Sequence, residues 1–410
     1  MKILIYSQYY PPESVGAALW VNEIVEDLAA RGHKVKVLTA FPNYPVGEVF
    51  EDYQGKVFQH RVEDGVEVFR SWIYRSPSRK FGSRVLSFIS FTISSFLFGI
   101  TRIDEVDAIY TILQPLSLGP AAVWLGKKLG ARVILNVQDI HPYAAVQMGA
   151  LKNPLLIRGL ERLEKWSYQQ ADGIVVISEG FKANLLEKGV PVSKIAVVPN
   201  WADPDFIQPG PKMNEFRGKL GLGNKFTVIY SGGLTHNSNL EPLIEAAEIL
   251  QEEPFQFVIV GDGVRKPDLE KMAGEKKLEN IHFVPFQPLD RYPDVLRAAD
   301  IGLVTLSTQA TFASVPSKIF KYMASGRPVL AITAEGNEVD RMVKEGAFGL
   351  QVPPDDPQAL AEAIRWGADH PEELDQMGAA GRNYLLAKFR RDLCIKKIEE
   401  VLLKTADYPG

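Results

Sequence analysis

The chain has 410 residues, 46% of them hydrophobic and 23% charged, with 33 Gly, 27 Pro and a single Cys. These values describe a folded globular protein long enough for two large domains, and they exclude a disordered chain, a disulfide scaffold and a structural zinc centre built on cysteines. A formal charge of −4 and an isoelectric point near 6.0 supply no overall basic field, so nucleic acid is not an expected partner.

The opening run MKILIYSQYYPP is too short for the apolar core of a signal peptide, and Lys2 to Ser7 reads as a first strand. With no export signal and one unpaired cysteine, Cys394, the expected location is the cytoplasm. Val21, Ile24, Val25 and Leu28 follow at helical spacing, Gly32 stops that helix, and Val35 to Thr39 begins the next strand, which completes a βαβ unit. Two alternating runs within Val57 to Phe69 flank Asp64-Gly65 and predict a hairpin inserted in this unit. Arg70, Arg75, Arg79, Lys80 and Arg84, interleaved with Trp72, Tyr74 and Phe81, then precede the apolar stretch Leu86 to Ile100. That stretch is about fifteen residues with four serines, short of the roughly twenty that a spanning helix needs. Two readings remain: a buried helix behind a solvated basic loop, or a segment of 70–100 in peripheral contact with the inner face of the cell membrane.

Further short apolar runs, Ala108 to Ile112, Val133 to Val137, Gly173 to Ile177 and Ile195 to Val198, are of the kind that a parallel sheet buries on both faces. The composition breaks at Asn200-Trp201-Ala202-Asp203-Pro204 and again at Pro209-Gly210-Pro211, the best linker in the chain. The strand rhythm restarts with Thr227 to Tyr230, Phe257 to Val260, Ile281 to Val284, Ile301 to Thr305 and Val329 to Ile332, and Glu372 to Lys404 is helical in pattern. The expected fold class is therefore α/β, two tandem Rossmann-like doubly wound domains with a ligand cleft at the C-terminal ends of their strands. The expected division is 1–203, 204–380, and a C-terminal helix in 381–410 that crosses back to the first domain.

Three glycine turns follow strands: Gly16 in SVGAAL, Ser231-Gly232-Gly233-Leu234, and Gly261-Asp262-Gly263 with Arg265 close behind. Such turns let backbone N–H groups approach an anion. Between Val315 and Leu330, Pro316 ends a loop, Ser317 reads as a helix N-cap, Ile319, Tyr322 and Met323 share a helix, and Gly326 stops it. A helix start carrying Ser317 and Lys318 is an anion site. There is no full Rossmann glycine fingerprint, no P-loop and no HExxH helix. Without an Asp-x-Asp pair at a strand end or a His/Cys ligand spacing, neither a metal nor a cofactor is expected. Gln138-Asp139-Ile140-His141-Pro142 follows the Val133 strand, and this titratable pair in a strand-end loop is the candidate catalytic constellation. Asp139 is read as orienting His141 or as accepting a hydroxyl proton. His236, after the second glycine turn, is a further residue near the expected phosphates.

The segment PSKIFKYMASGRPVL resembles the nucleotide-sugar motif of family 4 glycosyltransferases with the GT-B fold, in particular those that build bacterial surface polysaccharides. The stretches YYPPESVGAALWVNEIVEDLAARGHKVKVLTAFPNYP, QDIHPYAA, VISEGF, VVPNWAD and VIVGDG fall in the order that family shows, so the resemblance covers essentially the whole chain. It implies transfer of a sugar with retention, without an obligatory metal, from a nucleotide diphosphate donor, a UDP-sugar being favoured. The implied acceptor is a saccharide or a polyprenyl-diphosphate-linked saccharide. Donor contacts are expected at Gly16, Gly232, Gly233, Arg265, Ser314, Val315, Pro316, Ser317, Lys318 and Lys321, and the acceptor side at Asn43, Tyr44 and Gln138.

The sequence departs from the family pattern at several positions. Ala313 and Lys321 stand where many relatives carry two glutamates, Gly233 and Ser238 where an Arg and a Lys cradle the diphosphate, and Gln138 where a His precedes the Asp. The compensating positive charge is expected from Lys318, helped by Arg265. Two other readings stay open: a non-hydrolysing sugar-nucleotide epimerase, and a nucleotide-sugar-binding protein without catalysis.

Overall fold

A computed structural model describes the chain except residues 14–15, 44–47, 76–80, 148, 150, 236–237, 308–314 and 405–410. It divides into two compact units, one of Met1–Pro199 with the chain from Ile395 onward, the other of Asn200–Cys394.

The first unit is built on the strands β1 (Lys2–Tyr6), β2 (Lys34–Ala40), β3 (Phe58–Glu63), β4 (Val66–Ser71), β5 (Ala108–Ile112), β6 (Arg132–Val137), β7 (Gly173–Val176) and β8 (Ile195–Val197). They form one sheet in the order β3-β4-β2-β1-β5-β6-β7-β8. All neighbours are parallel except the β3–β4 hairpin, where Asp64 and Gly65 both take positive φ, the turn that suits a two-residue connection. Every residue of β5 and all but the first of β1 are buried, which is why these strands read as unbroken apolar runs. The strand order reverses between β1 and β5, so the crevice outside their C-terminal ends is the topological switch point of this unit. Glu399, on the helix Arg391–Lys404, accepts hydrogen bonds from Arg31 at 3.2 Å and His33 at 2.8 Å and so ties the C-terminal helix to this unit.

The apolar stretch after the basic segment is longer than expected. It forms a helix of 22 residues, Phe81–Arg102, long and apolar enough to cross a membrane by length and composition alone. Its serines do not interrupt it because Ser94 and Ser95 return their hydroxyls to the Phe91 carbonyl. One face packs inward: Phe91 and Ser95 are fully buried, the Ser95 hydroxyl meets that of Tyr6 at 2.5 Å, and Phe98 stacks on Phe58 at 4.5 Å. The opposite face exposes Leu86, Ile89, Ile93 and Leu97, each by about half its surface. The expectation of a basic surface that begins at Arg70 is corrected. Arg70 is buried in β4, paired with Glu63 and donating to the Pro11 carbonyl at 2.6 Å. Trp72, Tyr74, Arg75 and Arg84 are exposed, while Arg79 and Lys80 lie outside the described residues.

The second unit carries β9 (Phe226–Ser231), β10 (Phe255–Val260), β11 (Ile281–Val284), β12 (Ile301–Thr305), β13 (Val329–Ile332) and β14 (Gly349–Val352), in the all-parallel order β11-β10-β9-β12-β13-β14. β14 is absent from the sequence reading because GLQV is short, interrupted by Gln351 and only half-buried. The chain joins this unit at Asn200, ahead of the expected 203, because the Ala202 N–H donates to the Phe389 carbonyl at 3.3 Å. The expected division at 381 falls inside the helix Pro371–Lys388. That helix stays on the second unit, since Gly378 lets it approach so closely that a Cβ there would lie 2.2 Å from the Gly326 carbonyl oxygen.

The helix Lys318–Ala324 sits on this sheet through Tyr322, whose buried hydroxyl donates to the Ile229 carbonyl of β9 at 2.6 Å. Arg382 donates to the Ala324 carbonyl at 2.6 Å and fixes the other end. The Tyr322 ring lies against Gly302 of β12, where an added Cβ would meet ring carbons at 2.3 to 2.5 Å. Gly302→Ala is therefore expected to destabilise the second unit by about 1–3 kcal/mol through overpacking, measured by denaturant unfolding of that unit. An unchanged midpoint would show that the ring can move aside freely.

Candidate active site

In the first unit the candidate groups stand on loops that leave the C-terminal ends of β5 and β6. Asp139 is partly buried, and that burial pushes its carboxyl pKa up to about 6. Its Oδ2 accepts a hydrogen bond from Gln114 Nε2 at 3.1 Å. His141 is driven down to about 4, first by burial and then by the positive charge of Lys188, so its ring is neutral at physiological pH. Its Nε2 is buried and has no partner. The expected Asp139–His141 pair is therefore corrected: among the described residues the side chain that hydrogen-bonds Asp139 is Gln114 and not His141.

Gln138 donates to Asn136 Oδ1 at 2.8 Å, and Asn136 in turn donates to the Tyr110 hydroxyl at 2.9 Å, a buried polar chain beneath the loop. Asn43 turns its side chain back to the Phe41 carbonyl at 2.9 Å, while its N–H donates to Glu13 Oε1 at 2.9 Å. Tyr44 lies outside the described residues. Two buried atoms at the switch point, Gln8 Oε1 and Thr111 Oγ1, have no hydrogen-bond partner. Neither they nor Gln114 belongs to a motif, and the one signal for them is their place at the ends of β1 and β5. Gly16 opens the helix Gly16–Ala30 with open space around its Cα.

In the second unit two glycine turns pack backbone against backbone. Gly232 donates its N–H to the Val260 carbonyl and Leu234 donates to the Asp262 carbonyl, each at 2.9 Å. At Gly261 a Cβ would lie 2.0 Å from the Gly232 carbonyl oxygen, so only glycine fits. The expected use of the Gly232 N–H for an anion is corrected, because Val260 already takes it. Among the described residues the Gly233 N–H has no acceptor. Lys318 extends over this turn: its Nζ lies 3.4 Å from the centre of the Tyr230 ring and would be 3.1 Å from a Cβ at Gly232. One turn further along the helix, Lys321 Nζ lies 5.0 Å from the centre of the Tyr292 ring. Among the described residues neither ammonium has a carboxylate partner, and 308–314 contain no acidic residue in sequence. Burial and then the neighbouring charge of Lys321 hold the Lys318 ammonium well below its usual pKa range.

Other expected members fare differently. Arg265 is engaged by Glu241 and Asp268, so its charge is already partnered. Ser317 stands at the N-cap position of the helix as expected, with helical dihedrals and no capping bond from its side chain among the described residues. The Pro316 carbonyl accepts the Ile319 N–H at 3.1 Å, and Val315 packs partly against the apolar cluster around Ile319 and Phe320. Ser314, Ala313 and His236 lie outside the described residues. Ser238 donates its hydroxyl to the Thr235 carbonyl at 2.5 Å. Among the described residues no group of three or more His, Cys, Asp or Glu is placed to hold a metal ion.

Two Rossmann-like domains in tandem, each on a mostly parallel sheet, define a protein of the GT-B class. Solved structures share that fold: sucrose-phosphate synthase from Thermosynechococcus elongatus, with a TM-score of 0.75 at 18% identity over 98% of this chain and 99% of that one, and Anabaena HepE in complex with UDP, with a TM-score of 0.72 at 17% identity over 98% and 100%. Residues 15–201 match the glycosyl transferase 4-like domain, and residues 225–369 match the glycosyl transferases group 1 domain. The Escherichia coli K12 protein named "Putative colanic acid biosynthesis glycosyl transferase WcaI" is 33% identical over 374 residues, 89% of this chain and 91% of its own. WbjE of Pseudomonas aeruginosa, named a probable glycosyltransferase, is 28% identical over 79% of this chain and 81% of its own. The chain belongs to the family 4 glycosyltransferases.

Proposed function

We propose that the protein moves a sugar, with retention and without a metal, from a nucleotide diphosphate donor on its second domain to a hydroxyl of a saccharide or polyprenyl-diphosphate-linked saccharide on its first. The observation that carries this reading is Lys318, an ammonium without an acid partner among the described residues, set over the Gly232-Gly233 turn. A UDP-sugar is the favoured donor, since HepE has been solved with UDP-glucose. A surface polysaccharide is the favoured product, given the colanic acid assignment in the name of WcaI.

As the glycosidic C–O bond breaks, negative charge grows on the departing diphosphate. Lys318, Lys321 and the Gly233 N–H supply positive charge and a donor to that anion. The acceptor hydroxyl then attacks from the same face and its proton passes to a phosphate oxygen, while Asp139 holds the hydroxyl as a hydrogen-bond acceptor. A two-step covalent route is disfavoured because Leu306 to Lys321 contains no carboxylate to serve as nucleophile. The epimerase reading finds no support in the matched domains or in the named relatives.

Lys318→Ala is expected to weaken UDP binding by ~1.5–3 kcal/mol in calorimetry, the range for hydrogen bonds to charged groups. Binding an anion returns the depressed Lys318 pKa toward its usual value, so UDP binding takes up a proton and weakens as pH rises. Unchanged affinity in the variant, or affinity independent of pH, contradicts the assignment.

A lipid-linked acceptor requires that the enzyme meet a membrane. The exposed face of Leu86, Ile89, Ile93 and Leu97, with Trp72, Tyr74, Arg75 and Arg84 also exposed, supports peripheral contact with an anionic leaflet. Sedimentation with anionic liposomes is expected to recover the wild type and to lose it in high salt, and neutralising Arg75, Arg79, Lys80 and Arg84 should reduce recovery. Equal recovery of the two proteins, or none of either, favours a soluble acceptor.

A further inference from the structure

We propose that Gln114 is a positioning residue, which holds the Asp139 carboxylate by Oδ2 and leaves Oδ1 for the acceptor hydroxyl. The proposal rests on the reading that Asp139 acts on the acceptor.

The backbone places these residues together. β5 and β6 are parallel neighbours with Ile112 opposite Asn136, so both chains leave the sheet side by side. Leu113 N–H continues the ladder to the Asn136 carbonyl at 2.8 Å, and Gln114 N–H turns back to the Ile112 carbonyl at 2.7 Å. Those two bonds fix the short turn from which the Gln114 side chain reaches Asp139 Oδ2 at 3.1 Å. An ionised carboxylate only accepts hydrogen bonds, so the amide nitrogen is the end that must face it.

Asp139 is partly withdrawn from water, and a carboxylate so placed is costly unless a donor meets it. Among the described residues the Gln114 amide is the side-chain donor that does so. Among the described residues no charged side chain pairs with Asp139. Its titratable neighbour His141 is neutral, and Lys188, whose charge bears on His141, is itself paired with Glu164 at 2.8 Å. An uncharged donor therefore sets how readily Asp139 ionises. Burial raises its carboxyl to about 6 with Gln114 in place, and loss of the amide, a donor that favours the charged form, is expected to raise it further. A carboxylate held in this way stays ionised at neutral pH and presents one fixed oxygen. Without the amide it is expected to be partly protonated there and free to rotate.

The test is a carboxyl-carbon NMR titration of the full chain labelled at aspartate, with the Asp139 signal identified as the one missing from Asp139→Asn. Gln114→Leu is expected to raise the Asp139 midpoint by about one pH unit, the size of losing one hydrogen bond to a charged group. Gln114→Glu, which keeps the shape and replaces the donor with a second acid, is expected to raise it further and serves if the leucine variant does not fold. Midpoints unchanged in both variants overturn the proposal. An Asp139→Asn enzyme that transfers sugar at the wild-type rate would instead overturn the role of Asp139 in transfer, whatever the titration shows.

Discussion

The placement of the two lysines of the second domain depends on how one seven-residue helix is seated. Lys318–Ala324 is too short to be stable by itself, and what fixes it is the Tyr322 ring pressed against a glycine of β12, with its hydroxyl bonded to β9. The same seating carries Lys318 over the Gly232 turn and Lys321 toward Tyr292. A side chain at Gly302 or a missing hydroxyl at Tyr322 therefore acts on the placement of Lys318 and Lys321 from beneath. The tight backbone contacts of Gly232, Gly261 and Gly263 hold the facing turn in the same way.

The two domains solve opposite electrostatic problems. In the second, two ammonium groups sit on aromatic rings with no carboxylate partner among the described residues, an arrangement stabilised in part by cation–π attraction. In the first, a partly buried carboxylate is met by an amide, and the imidazole of His141 is kept neutral. A cationic site suits a departing diphosphate, and a site without net positive charge suits a neutral hydroxyl.

Much of this organisation is legible in the sequence, and the exceptions have physical causes. The central strands are readable because burial on both faces demands unbroken apolar runs, as in ILIY and AIYTI. β14 is not, since an edge strand such as GLQV needs no such run. The helix Phe81–Arg102 outruns its apolar stretch because serines can satisfy their hydroxyls within a helix. Arg70 and Arg265 look like surface or ligand charges until the chain brings Glu63 and Glu241 to them. Gln114 is invisible in sequence: a lone glutamine before a proline has no spacing to mark it, and only the pairing of β5 with β6 sets it beside Asp139.

The most direct test of the donor site is a crystal structure of the protein with UDP. The expected result is a diphosphate bound at the Gly233 N–H with the Lys318 ammonium drawn off the Tyr230 ring onto a phosphate oxygen. A diphosphate bound elsewhere, with Lys318 still resting on Tyr230, would contradict it.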